Sequence, residues 1–598
     1  MTKSSIRIGG ASAFWGDTSI AAPQLVHGGE IDYLVFDYLA EVTMSILARQ
    51  RAKSAELGYA TDFVSVTMKA LLRDIVDRGI KVISNAGGTN PLACRDALLR
   101  VAEEAGIKVK IGVVLGDDLL AREADFRAAD VREMYAGAAF PDQVMSINAY
   151  LGARPIAAAL ARGCDIVITG RCVDSAVTLG ACMHEFGWAD DDFDRLAAGT
   201  LAGHIIECGA QCTGGLFTDW RRVESWENIG YPVAEVSADG SFTISKPPGT
   251  DGLICFGSVA EQLLYEIGDP GAYMVPDVAC DFTGVEMREI GKNLVRVSGA
   301  RGQPPTSTYK VSATYRDGYS SQVLMVIGGI DAAAKARRTG ETIVARTRKM
   351  FADRNLGDYS ETRIEVVGAE EMYGAQATPT PPREVVLKMA VKHDEKAALE
   401  IFGREYAAPG TSMAPGTTGF SGGRPAPVPV VRLFSFLIDK TDVPIQLDVD
   451  GNAEPVSVRS SGGFTTSASE AVEAVPAEVP DGDTVAVPLV RLAYGRSGDK
   501  GNNANIGIIA RKPEYLPLLR WALTEERVAA HFAHNLEGQV ERFDLPGLHA
   551  MNFLLHDTLG GGGTASLHTD NLAKAYAQVL LDMPIEVPRA LAATLDVA

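Results

Sequence analysis

The sequence predicts an α/β protein: an N-terminal, mostly parallel, doubly wound sheet, an antiparallel-rich middle region, and a small C-terminal α+β unit. Three observations carry this. Short apolar runs alternate with helix-period segments through the first ~200 residues, the pattern of a parallel sheet covered by helices. Alternating strands with turn signals then dominate from about residue 228 to 329. Finally, a stretch at 451–483 rich in Ser, Ala, Val, Glu and Pro, with Phe464 as its only aromatic residue, reads as a linker.

In the first region, 1–210, strands are expected at 6–8, 31–36, 81–84, 109–115, 144–147 and 165–169, all of them parallel. Helices at 62–77, 91–105 and 154–162 separate several of them, and a doubly wound open sheet is the usual solution. In the mixed, β-rich part at 211–450, strands at 233–244, 293–297 and 309–315 carry the turn signals Asp239-Gly240 and Asp317-Gly318. A helix follows at 332–351 and a largely apolar run at 428–437. Beyond the linker, 484–598 reads as strands at 485–492 and 505–510, helices at 513–523 and 525–534, an apolar run at 548–555, a glycine run at 560–563 and a helix at 571–581. That order suits an α+β sandwich.

Composition narrows the partners. The chain has 598 residues, 46% hydrophobic, which excludes disorder throughout. Its 56 Lys+Arg against 76 Asp+Glu leave a net charge of −20, with no basic cluster to grip a phosphate backbone, so neither nucleic acid nor an anionic membrane is expected. No stretch approaches the ~20 apolar residues of a membrane span, and no leader precedes the first strand, which makes a cytoplasmic location the expectation. All eight Cys fall between Cys94 and Cys280 and read as buried thiols.

Unusual residues collect where the parallel strands end. Gly9-Gly10 leads to Phe14-Trp15-Gly16-Asp17, and the next strand ends in Asp37-Tyr38-Leu39-Ala40-Glu41. Asn85-Ala86-Gly87-Gly88-Thr89-Asn90, Gly116-Asp117-Asp118, Asn148-Ala149-Tyr150 and Gly170-Arg171-Cys172-Val173-Asp174 follow the others. Carboxyl ends of parallel strands converge on one edge, where ligands bind. Asp17, Asp37, Glu41 and Asp174 are therefore candidate acids or bases, and Arg171 a candidate partner for developing negative charge. Gly9, Gly10, Asn85, Gly87, Gly88 and Asn90 are candidates for holding substrate through backbone or amide groups. The competing reading makes these turns ordinary helix caps.

No cofactor fingerprint is present: neither G-x-G-x-x-G nor G-x-x-x-x-G-K-[ST] occurs. His204, Cys208 and Cys212, at i, i+4 and i+8, share a face if they lie on one helix, but the ligand pairs typical of zinc are missing, so no metal is assigned. The stretch 410–425, with five glycines, cannot hold regular structure and reads as a long loop. A second polar loop, 496–507, joins two expected strands; Arg496, Asp499, Lys500 and Asn505 there are candidate anion-binding residues. Five of the nine His also fall in the C-terminal unit.

Several segments together resemble the acyclic terpene utilisation AtuA family. They are Phe14-Trp15-Gly16-Asp17, the run from Asp32 to Glu41, Asn85-Ala86-Gly87-Gly88-Thr89-Asn90-Pro91, Gly170-Arg171-Cys172-Val173-Asp174, Glu261 to Pro270, and Arg496-Ser497-Gly498-Asp499-Lys500-Gly501. The last stretch resembles the AtuA-like ferredoxin-fold domain, which implies a ferredoxin-like C-terminal unit. The resemblance implies breakdown of acyclic terpenes or related branched acids handled as CoA thioesters, with CoA entering as part of the substrate rather than as a cofactor. It brings no catalytic residues with it.

The expected function is therefore an enzyme acting on a branched acyl-CoA or related carboxylate by lyase or hydratase chemistry, self-associating and working beside other enzymes of acyl-CoA catabolism. Two alternatives stand beside it: a non-catalytic subunit or scaffold for CoA-dependent enzymes, and a metal-dependent hydrolase.

Overall fold

A computed structural model describes residues 3–378, 380–420, 422–465 and 475–595, with the backbone alone at Glu41 and Thr564. Strands β1 (Ser5–Gly10), β2 (Tyr33–Phe36), β3 (Lys81–Ser84), β4 (Ile111–Leu115) and β6 (Ile166–Thr169) form a parallel core in the order β1-β2-β3-β6-β4. Each strand is buried on both faces, as a central parallel sheet requires. Tyr33 and Val35 enter one apolar core while Leu34 and Phe36 enter the other, because successive side chains point to opposite faces. Helices cover both: Ala21–Gly28, Lys69–Asp77 and Pro91–Glu104 on one, Arg154–Ala161, Ala176–Phe186 and Phe193–Ile206 on the other.

Antiparallel strands extend this core on both sides into an 11-stranded sheet. Val233–Ser237, Phe242–Ser245, Leu294–Ser298 and Glu286–Gly291 add beyond β1, and Gln446–Val449 with Asn452–Pro455 beyond β4. That last strand lies inside the stretch read as a linker. On the far side of that stretch Val475 packs against the C-terminal core and the Glu478 amide donates to the Pro517 carbonyl, while residues 466–474 lie outside the described residues.

Strand β5 (Val144–Ala149) corrects one expectation. It leaves the parallel sheet and pairs antiparallel with the 21-residue strand Thr308–Gly328. Its polar Ser146 and Asn148 alternate with apolar Ile147 and Ala149, a period suited to an antiparallel strand with one polar face. The Ser146 hydroxyl bonds to that of Thr314 at 2.6 Å. Thr308–Gly328 holds the second sheet together: its first half pairs with β5 and Val428–Asp439, its second with Glu384–His393 and Thr417–Phe420.

Two other readings change here. Asp317-Gly318, read as a turn, is a bulge inside this strand, with Gly318 at φ +68° where the register shifts. Residues 417–420, read as irregular, form an edge strand. Among the described residues no helix is long and apolar enough to cross a membrane.

The C-terminal unit is a four-stranded antiparallel sheet, ordered Ala493–Lys500, Asn503–Ala510, Ala550–Leu555, Val540–Leu545, packed with helices Leu516–Ala522, Glu525–His531 and Tyr576–Leu581. The segment 496–507 is thus not a polar loop. It is two paired strands around a tight turn at Gly501 (φ +68°), with Ser497 opposite Ile506 and Asp499 opposite Ala504. Its polar side chains are packed against the rest of the protein, which is why the apolar pattern of a strand is missing.

Glycines make that packing fit. A Cβ on Gly498 would stand 2.7 Å from Glu266 Cγ, and one on Gly507 would stand 2.4 Å from Leu264 Cβ. Residues 264–268 therefore lie directly on the C-terminal sheet. Gly507→Ala should cost about 1–3 kcal/mol by overpacking this contact. Gly268→Ala, whose nearest neighbour is 4.0 Å away, should stay within about 0.5 kcal/mol of wild type. Urea denaturation of the two variants checks the contrast, and equal effects would mean that the contact is soft.

Candidate functional site

The ends of β2 and β6 bring Asp37 beside Arg171 and Asp174. Asp37 is buried, and Asn85 from the end of β3 holds it: the Asn85 Nδ2 donates to Asp37 Oδ1 while its Oδ1 accepts from the Tyr38 amide at 2.8 Å. Burial, then the charges of Asp174 and Glu207, push the Asp37 carboxyl well above the usual carboxylate range; Arg171 opposes them without prevailing. Arg171 is itself buried, lies 4.2 Å over the Tyr150 ring, and donates to Asp174 Oδ1 at 2.7 Å. Behind it a small cavity, lined in part by Met44, Ser146, Asn148, Tyr150 and Thr314, has room for about one water molecule.

A second group closes on this one from helix Phe193–Ile206. His204, 2% exposed, places Nδ1 3.0 Å from Glu207 Oε1 and Nε2 3.0 Å from the Leu263 carbonyl. Burial pushes the His204 imidazole down to about 4, so the ring is neutral near pH 7. Burial, then repulsion from Asp174 and Glu266, pushes Glu207 well up. Its place at the carbonyl end of a helix also disfavours an anion.

Glu266 completes the carboxyl group, and its backbone is unusual. It sits at φ +56°, a left-handed conformation that costs a non-glycine residue energy unless its surroundings impose it. The C-terminal sheet imposes it. Asn505 Oδ1 accepts from the Glu266 amide at 2.9 Å, Asn505 Nδ2 donates to the Leu264 carbonyl at 2.6 Å, and Lys500 Nζ donates to the Glu266 carbonyl at 2.9 Å. Asn552 on the neighbouring strand accepts from Asn505 and donates to the carbonyls of Ile267 and Gly268.

The same unit delivers cations. Lys574 Nζ donates to Glu266 Oε1 at 2.8 Å, to Asp499 Oδ1 at 3.2 Å and to the Tyr265 hydroxyl. Burial opposes the Glu266 carboxylate, but Lys574, with bonds from Lys574 and Tyr265 and the charge of Lys500, holds it below its usual range. Burial, then the charge of Glu266, raises Asp499 to about 6. The mouth remains open to water: Asp174, Glu266 and Lys574 are each more than a third exposed.

This edge, reached from both units, is where the family motifs fall. The model described as acyclic terpene utilisation family protein AtuA matches residues 6–449, and that of the AtuA ferredoxin-like domain matches 487–586. The chain belongs to the AtuA family. No curated protein and no solved structure matches it.

Within this AtuA-family fold the sequence candidates separate into three sets. Asp37, Arg171, Asp174, Asp499 and Lys500 meet in the cleft. Asn85 and Asn505 orient its carboxylates from behind, and Arg496, buried, lies 4.6 Å over the Tyr265 ring and reaches Gln211 and the Leu216 carbonyl. Asp17 follows β1 on the same edge but is turned to the Ala13 amide and the Tyr231 hydroxyl. Glu41 opens helix Glu41–Lys53, and its side chain lies outside the described residues.

The glycines are occupied by the fold. Gly9 and Gly10 are within β1, where the Gly10 amide donates to the Pro232 carbonyl. A Cβ on Gly87 would meet the Thr169 carbonyl at 2.5 Å, and one on Gly88 would meet Leu47 Cδ1 at 2.4 Å. Asn90 ties down the carbonyls of Ala55 and Leu57. At Gly87 and Gly88 the turn is close-packed against protein.

Sequence reasoning missed Glu207, Glu266 and Lys574 as site residues and weighed His204 only as a metal ligand. Helix Phe193–Ile206 ends before Cys208 and Cys212, so the shared face that reading needs does not exist. Among the described residues no group of three or more His, Cys, Asp or Glu is arranged to hold a metal ion. Glu266 carries one readable signal, its place at the end of an apolar helical segment just before Gly268-Asp269-Pro270. Lys574 carries none: the helix expected from 571 starts only at Tyr576.

Asp117 supports the site from below. Its Oδ2 accepts from the Arg171 amide at 2.8 Å and from Asn148 at 2.9 Å, and burial pushes its carboxyl up to about 7 against both bonds. In the unfolded chain this group loses its proton near its ordinary 3.8, but in the fold it keeps it to about 7. Between those values the unfolded state has already released the proton, so Asp117 lowers stability as pH rises, by about 1.4 kcal/mol per unit. Asp117→Asn should therefore match wild type near pH 4 and gain on it steadily up to pH 7. Denaturation at a series of pH values measures the difference; a constant offset would mean that Asp117 is ionised in the fold.

Proposed function

We propose that this chain is an enzyme of acyclic terpene or related branched-acid breakdown that moves a proton at the carbon next to a thioester or carboxylate carbonyl, with addition or loss of water. The observation that carries the reading is Glu266: a carboxylate held below its usual range by Lys574, in an imposed left-handed backbone, beside Asp37 and Glu207, whose carboxyls are pushed well up. A base and an acid whose environments drive their pKa values apart are what such chemistry needs.

In this reading the substrate carbonyl lies near Lys574 and Lys500 or Arg171, whose positive charges stabilise the negative charge that builds on its oxygen. Glu266 takes the neighbouring proton. Asp37, protonated and held by Asn85, returns one to the departing hydroxyl, and Asp174 orients Arg171. A CoA moiety, where present, belongs to the substrate and extends out through the open mouth.

The test is hydrogen exchange. The purified chain, alone, is incubated in D2O with a branched acyl pantetheine thioester, and deuterium next to the carbonyl is read by mass spectrometry. Exchange is expected, falling ~100-fold or more in Glu266→Gln and in Lys574→Met, with melting temperatures near wild type. No exchange from thioesters or free acids by the intact chain would overturn the reading in favour of a non-catalytic partner.

A further inference from the structure

Glu207 offers the cleft an oxygen that the protein leaves without a donor. The His204 Nε2–H is committed to the Leu263 carbonyl, so in the neutral ring Nδ1 carries a lone pair. Glu207 Oε1 lies 3.0 Å from that lone pair. Two acceptors cannot bond each other, so Oε1 must carry the Glu207 proton and donate it to Nδ1. That assigns Oε2 the role of a carbonyl oxygen, able only to accept.

Oε2 is buried and has no hydrogen-bond partner among the described residues, while the Glu207 side chain as a whole is 10% exposed. Buried polar atoms are rarely left so. Asp174 and Glu266 repel an anion at this carboxyl while Lys500 and Arg171 favour one, and none of the four is hydrogen-bonded to Oε2. A ligand hydroxyl would supply the donor that Oε2 lacks.

We propose that the site takes a hydroxylated acyl compound, whose hydroxyl hydrogen is donated to Glu207 Oε2 while its carbonyl is held by the cations of the C-terminal unit. The acyl part rests on the function proposed above; the hydroxyl part rests on the His204–Glu207 geometry alone. Glu207 is thereby the residue that selects the hydroxylated ligand over its deoxy counterpart, a discrimination that a site built to pair an O–H makes well.

The experiment compares binding of two probes to the full chain by calorimetry: the pantetheine thioesters of 3-hydroxy-3-methylbutanoate and of 3-methylbutanoate. Wild type should bind the hydroxylated probe at least about tenfold more tightly. Glu207→Gln should keep that preference, since its amide N–H can donate to His204 Nδ1 and its oxygen still accepts. Glu207→Met should bind both probes alike. Equal binding of the two by wild type, or loss of the preference in Glu207→Gln, overturns the proposal. So does Glu207→Met weakening both probes by the same factor with the preference intact. Should Glu207→Met fail to fold, wild type and Glu207→Gln still decide. The two readings fail separately: a hydroxyl preference without deuterium exchange removes only the proton-transfer chemistry, and exchange without the preference removes only this selection.

Discussion

The site depends on one contact, the seating of residues 264–268 on the C-terminal sheet. Asn505 and Asn552, side by side on adjacent strands, satisfy the Glu266 amide and the carbonyls of Leu264, Ile267 and Gly268. Both side chains are fully buried, so losing either would strand several polar groups, each worth about 1–3 kcal/mol. Those bonds, with the missing side chains at Gly498 and Gly507, hold Glu266 in a conformation it would not adopt unaided. The left-handed residue is also the one in contact with Lys574. Backbone strain, domain docking and acid–base geometry therefore form a single arrangement.

Crowding carboxyl groups at a partly dry edge has a predictable result. Asp37, Asp174, Glu207 and Glu266 influence one another, and isolated buried charges are too costly to keep. The fold resolves this unevenly. Glu266 receives a lysine and is held below its usual range, whereas Asp37 and Glu207, set against Asn85 and His204, are pushed well above theirs. Residues of one chemical type thus have their proton affinities driven in opposite directions, and proton traffic needs that asymmetry.

Much of the scaffold could be read from the sequence because it follows periodicity. β1, β2, β3, β4 and β6 lie within the apolar runs, and their ends carry the acidic and amide residues that the sheet edge gathers. What could not be read depended on contacts distant in sequence. β5 resembles its parallel neighbours until its partner, Thr308–Gly328, is known. The strand Ala493–Lys500 hides behind glycines and charges because it is buried against another domain's polar turn rather than an apolar layer. Lys574 sits just before a helix, after Ala573 in a left-handed conformation, and nothing local marks it. The close packing at Gly87 and Gly88 was not readable for a related reason: a glycine needed for close backbone packing and one needed for a ligand look the same in sequence.

A cleft formed between two units is only as precise as the docking behind it, and here docking is fixed at several separate places, the bidentate Arg511–Asp219 pair among them. Besides the 264–268 turn, buried Lys388 on strand Glu384–His393 binds Glu365 at 2.8 Å, the Leu567 carbonyl at 2.9 Å and Thr569 at 3.1 Å. Burial opposes Glu365, but the bonds from Lys388, Thr569 and Arg363 hold it down to about 2, so this carboxylate stays ionised across the physiological range. Thr569 lies five residues before Lys574. The segment that brings the lysine to Glu266 is therefore anchored at its start by the second sheet and at its end by helix Tyr576–Leu581. Anchored both before and after it in the chain, Lys574 is held as a charge-assisted contact with a reacting carboxylate demands.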